Sequence, residues 1–139
     1  MNDRAVTIYT DGASSGNPGP AGAGAILFDA DGKTLASIAR PLGSTTNNVA
    51  EYLALVYALI EAQRRGERRL IVRTDSELLV KQLNGAYKVR DATLRLLHDL
   101  TAELLRGFAS TNIKHVPREE NSQADRLARQ GAKASASAV

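Results

Sequence analysis

The strongest constraint on this chain is a broadly apolar helical stretch set between two short strand-like runs, each of which finishes on an aspartate. From Thr46 to about Arg65, Val49, Leu53, Val56, Leu59 and Ile60 recur at three- and four-residue spacings, with further apolar residues between them. So wide an apolar girth predicts a helix buried on most sides. Before it, Ala5 to Thr10 alternates and climbs to Asp11; after it, Leu70 to Thr74 is a compact, β-branched run ending at Asp75. A buried helix joining two strands is the crossover that parallel neighbours need. Their carboxyl ends then share one sheet edge, which brings Asp11 near Asp75, and open α/β sheets bind ligands at such edges.

The remaining elements extend that unit. A loop of Gly, Pro, Ser and Asn from residue 12 to 20 leads to a second strand near Gly22 to Phe28. The turn Asp29-Ala30-Asp31-Gly32 returns the chain through a third strand, about Lys33 to Arg40, so the opening third is an antiparallel meander. Pro41 to Thr45 leads out of the sheet. After Asp75 come a short helix from Ser76 to about Leu83, a connection at 86–92, and a helix from Thr93 to Arg106 with Asp91 as its cap. A last strand, about Thr111 to Val116, stops at Pro117, and Asn121 or Ser122 caps a final helix carrying Asp125. The biased end AKASASAV, Ala132 to Val139, is expected to fray, leaving 1–131 as the domain.

Composition narrows the function classes. The chain has no Cys, so disulfides and thiolate metal sites are out, and no apolar run approaches the ~20 residues that span a bilayer. The MNDRAV start carries no basic region followed by an apolar core, and the expected compartment is the cytoplasm. A net charge of +3 favours an anionic partner modestly. The basic run Arg64, Arg65, Arg68 and Arg69 begins the strand that Asp75 ends, so it is expected ~15–20 Å from the acids, at a solvated corner. No Gly-Lys-Ser/Thr ending follows the glycine-rich loop, which excludes a P-loop.

Three of the four carboxylates have an ordinary explanation. Asp11-Gly12 is also turn chemistry, Glu51 also fits a narrow polar seam on its helix, and Asp125 also suits a helix dipole. Taken together, TDG at 10–12, TTNNVAE at 45–51, TDS at 74–76 and HVPREENSQAD at 115–125 resemble the type 1 ribonuclease H family over nearly the whole chain. The resemblance implies an α/β, ribonuclease H-like fold: a five-stranded mixed sheet, three antiparallel strands extended by two parallel ones, with helices on both faces.

It also implies that Asp11, Glu51, Asp75 and Asp125 are catalytic carboxylates. Hard oxygen ligands with neither Cys nor a His pair favour two Mg²⁺ ions, with Mn²⁺ as substitute. The implied reaction is two-ion hydrolysis of the RNA strand of RNA–DNA hybrids by a monomer, leaving 5′-phosphate and 3′-hydroxyl ends. Asn17, Asn47, Asn48 and Glu77 match positions that feel the 2′-hydroxyl, and Thr46 matches a contributor to a DNA-phosphate pocket.

Two departures stand out. Gly85 to Asp91 is too short for the basic protrusion of well-studied bacterial members, as in archaeal-type short forms, and leaves only Lys88 and Arg90 there. His115 lies ten residues before Asp125, where many members keep a mobile His, yet Pro117 puts it in a strand. Arg118 takes the loop position and could neutralise a leaving phosphate, though it cannot act as a base. The competing readings are a hybrid-binding module without turnover and a nuclease or strand-transfer relative acting on other nucleic acids. Four retained acids speak against the first, since binding alone favours removing negative charge.

Overall fold

A computed structural model describes residues 3–138 of the chain. Three strands open it: β1 (Val6–Ser14), β2 (Gly19–Phe28) and β3 (Thr34–Thr45). Helix α1 (Asn47–Arg64) crosses to β4 (Arg69–Thr74), followed by α2 (Glu77–Leu83), α3 (Ala92–Arg106), β5 (Ser110–His115), a 3-10 turn at Arg118–Glu120 and α4 (Ser122–Ser137). The five strands form one sheet in the order β3-β2-β1-β4-β5, with β1, β2 and β3 antiparallel and β4 parallel to both β1 and β5. This is the mixed sheet the sequence implied. No helix among the described residues is long and apolar enough to cross a membrane.

The crossover behaves as the apolar pattern requires. Val6, Ile8, Leu27, Leu55, Leu59, Leu70 and Val72 share one buried cluster between α1 and the sheet, with α3 packed outside α1. Thr46 caps α1 by accepting from the Val49 amide, and the Tyr52 hydroxyl donates to the Gln82 side chain at 2.6 Å, joining α1 to α2. On the other face α4 lies across β2 and β3. Thr10 pairs with Thr74 in the parallel register, so the next residues, Asp11 and Asp75, leave the same edge side by side.

Three boundaries differ from expectation. A loop is expected at residues 12–20, but β1 runs on to Ser14 and β2 begins at Gly19. The glycines here thin the sheet to admit helices. A Cβ on Gly12 would lie 2.4 Å from the Glu51 amide nitrogen, and one on Gly24 2.3 Å from the Ala124 carbonyl. Asp11 therefore sits inside a strand, not at its end.

β3 was expected to stop near Arg40, yet it passes through Pro41 to Thr45. It is an edge strand, where a missing N–H costs no ladder bond. Leu42 bulges out beside that proline.

The tail from Ala132 was expected to fray, but α4 continues to Ser137 because Ser135 is an anchor. The Ser135 hydroxyl is 5% exposed, donates to the Ala21 carbonyl at 2.6 Å and accepts from the Leu42 and Gly43 amides of the bulge, at 3.0 Å each. Met1, Asn2 and Val139, which the expected boundaries included, lie outside the described residues.

Candidate active site

The parallel edge gathers the acids. Asp11, Glu51 and Asp75 each present a carboxylate oxygen within 4.8 Å of the others, although they come from β1, from α1 and from the residue just after β4. Glu51 is one turn into α1, where Gly12 lets the helix touch the strand, and its Oε1 accepts from the Gly12 amide at 2.6 Å. Asp125 comes from the first turn of α4 and lines the same cleft, close enough for its charge to act on Asp11, so the fourth acid joins from the opposite face of the sheet.

Burial and like charge govern the electrostatics. Asp11 is 5% exposed and Glu51 7%. Desolvation, followed by the charges of Glu51 and Asp75, pushes the Asp11 carboxyl far above the usual carboxylate range. Desolvation and then Asp75 push Glu51 up as well, against the Gly12 hydrogen bond that favours its ionised form. An arrangement that desolvates anions and stacks like charges is costly unless something positive enters it. Arg129 answers part of that charge, pairing with Asp125 one turn along α4. Carboxylate oxygens are the only donors in the cluster, which fits a hard divalent cation.

A cleft of about 590 Å³ opens over the acids, lined also by Asn47, His115, Arg118 and Arg129. His115 closes β5, as the proline predicted, and Arg118 opens the 3-10 turn beyond it; both are exposed. Asn17 reaches from the β1–β2 loop to accept from the Asn47 amide at 3.0 Å. Thr46 and Asn48 line a neighbouring hollow of about 400 Å³ with Asn17, Asp91 and Thr93. Glu77 starts α2, two residues after Asp75, and is exposed. The basic run is where expected, with Arg64 and Arg65 paired to Glu61 at the far corner.

Two residues escaped the sequence reading. Arg129 could have been found from its position four residues after Asp125 on one helix. Asn121 was considered only as a cap. It is the N-terminal cap residue of α4, but its side chain makes no cap bond and instead donates to the Thr10 carbonyl at 2.9 Å. No local pattern signals a bond across the sheet.

A family model described as reverse transcriptase-like matches residues 9–131. Ribonuclease HI of Halobacterium salinarum is 46% identical over 123 residues, which cover 88% of this chain and 62% of that protein. The bifunctional protein Rv2228c of Mycobacterium tuberculosis is 44% identical over 124 residues, 88% of this chain and 34% of its own length. The solved N-terminal RNase H domain of that protein matches with a TM-score of 0.93 at 40% identity, covering 97% of this chain and 98% of the other. LC11-RNase H1, isolated from compost and solved in complex with an RNA/DNA hybrid, matches with a TM-score of 0.88 at 40% identity, covering 94% and 99%. This chain, then, spans about six-tenths of the length of the first relative and a third of the second. Motifs, sheet order and relatives agree: the chain belongs to the type 1 ribonuclease H family, in a short form without the basic protrusion.

Proposed function

We propose that this protein is an endoribonuclease that hydrolyses the RNA strand of RNA–DNA hybrids, using two divalent cations and leaving 5′-phosphate and 3′-hydroxyl ends. Mg²⁺ is the natural ion on this reading and Mn²⁺ a substitute, and the protein is a cytoplasmic monomer. The observation that carries the proposal is the convergence of Asp11, Glu51 and Asp75 within 4.8 Å, with Asp125 lining the same cleft. When bound, the ions supply an activated water and neutralise the leaving 3′ oxygen.

The chain's own groups do the rest. Asp11 and Glu51 are desolvated before any ligand arrives, so their attraction for cations is strong and is not dissipated by reorganisation. Gly12 fixes the Glu51 carboxylate, and Asn121 fixes the strand beneath Asp11. Arg118, permanently charged and facing the cleft, steadies the phosphate of the cut strand, while His115 can hold or pass a proton at its rim.

Asn17, Asn47, Asn48 and Glu77 read the 2′-hydroxyl, and Thr46 helps to hold a DNA phosphate. Support for this comes from the grouping of all but Glu77: Asn47 lines the acidic cleft, and Asn17 is bonded to it while lining the adjoining hollow with Thr46 and Asn48.

Side-by-side digestion of labelled RNA–DNA hybrid, duplex RNA and duplex DNA tests the proposal, each with Mg²⁺, Mn²⁺ or chelator. Cleavage of the hybrid's RNA strand alone, abolished by chelator, is expected. Cleavage of duplex DNA, or a hybrid left intact with both metals, would reject it.

A further inference from the structure

The outward face of α4 carries a basic feature that the chemistry above does not use. Arg126, Arg129, Gln130 and Lys133 line a concavity of about 280 Å³. Arg129 lines this concavity and the acidic cleft alike, so the two adjoin at its side chain. The inner face of the helix is occupied by the sheet, through Ala124, Ala128, Gly131 and Ala132. Positions 126, 129, 130 and 133 recur at helical spacing and form a single exposed stripe. From Arg126 to Lys133 it runs ~10 Å at 1.5 Å per residue.

Several cations elsewhere on the surface are neutralised by a neighbouring carboxylate. Arg4 pairs with Asp31, Arg64 and Arg65 with Glu61, and Arg106 with Glu103. Among the described residues, Arg126 and Lys133 have no ion pair, and Arg129 answers an acid of the cleft. Two uncompensated cations, aligned with a third that leads into the cleft, repel one another until a polyanion covers them.

We propose that this stripe is a phosphate track, with Arg126 and Lys133 holding the backbone of a nucleic-acid strand outside the cleft and Arg129 marking the junction. The proposal rests on the nuclease reading and extends it to the strand beyond the cut site. Phosphates of one strand advance ~3.4 Å per nucleotide along the duplex axis and are displaced around it as well, so ~10 Å of helix can meet more than one of them. Arg126 can grip one as a two-pronged donor and Lys133 another as a point charge. Contacts of this kind position a duplex without reading its sequence.

The test is fluorescence anisotropy of a labelled hybrid of about 20 base pairs in chelator, titrated at several salt concentrations. The double variant Arg126→Glu with Lys133→Glu is compared with Arg64→Glu with Arg106→Glu, which changes net charge equally but lies away from the stripe. The track variant is expected to bind at least about tenfold more weakly, with a salt slope shallower by about 1.5, and the control variant within about twofold of wild type.

If the two variants behave alike, or the track variant binds as wild type does, the proposal is overturned. Arg126→Gln with Lys133→Gln, which removes charge without adding any, must repeat the loss if the glutamates prove destabilising on melting. Because binding is read without metal, a protein that binds through the stripe yet never cleaves would refute the nuclease reading and leave the track standing.

Discussion

The side-chain amide of Asn121 donates to the Thr10 carbonyl at 2.9 Å, between residues 111 positions apart in sequence. Thr10 precedes Asp11, and the Asn121 carbonyl accepts from the Asp125 amide one helical turn on. A single buried side chain thereby ties the strand bearing one acid to the helix bearing another.

Asn121→Ala breaks that tie. It also removes an Oδ1 that has no partner among the described residues, so the loss of one buried bond is partly offset and the net cost is about 1 kcal/mol. For a chain of this length that lowers Tm by roughly 2–4 °C. The larger effect falls on Mn²⁺ affinity, measured by calorimetry, because the spacing of Asp11 and Asp125 is no longer fixed. Wild-type affinity in the variant would mean that Asn121 only stabilises.

The raised carboxyls make stability depend on pH in a definite sense. In their window, between the ordinary carboxyl range near ~4 and the elevated values of Asp11 and Glu51, the folded protein holds more protons than the unfolded chain, so stability falls as pH rises. Melting in chelator from pH ~5 to ~8 should show Tm declining, and saturating Mg²⁺ should reduce the decline by replacing protons with a cation. Asp11→Asn should flatten it without metal. A metal-free Tm that climbs across the window would contradict this electrostatic account.

Gly22 has no room for a side chain. A Cβ there would lie 2.2 Å from the Ala128 carbonyl and 2.3 Å from the Ala132 amide nitrogen, both backbone atoms of α4. Gly22→Ala should cost about 1–3 kcal/mol or more through overpacking, read as a lowered urea midpoint. Gly107→Ala is the comparison: its Cβ would meet only the Leu104 carbonyl at 3.4 Å, and a change within about 0.5 kcal/mol is expected.

These positions also show how far the sequence was legible. The crossover could be read because α1 is apolar on nearly all sides and both flanking strands are short and β-branched; periodicity reports burial, and burial fixed the topology. That in turn placed Asp11 beside Asp75. Gly12 and Gly19 misled, because glycine marks a loop and a close backbone approach equally, and only the packed backbone around each decides between them. The small residues at the end of α4 looked too weak to hold a helix, since the anchor is a buried hydroxyl whose partners lie about 90 residues or more away in sequence. Asn121 was hidden for the same reason. Contacts made across the sheet leave no local period.

The central claim is that the converging carboxylates hold cations for cleavage and not the nucleic acid itself. Asp75→Asn tests it most directly, because Asp75 contributes an oxygen to the acidic cluster and is less buried than Asp11 or Glu51. Cleavage rate and hybrid affinity should be measured on the same preparation, with Mg²⁺ present. The account predicts that cleavage falls by at least about a thousandfold, ~4 kcal/mol of barrier, while the hybrid Kd stays within a few-fold of wild type. Undiminished cleavage by Asp75→Asn would contradict it.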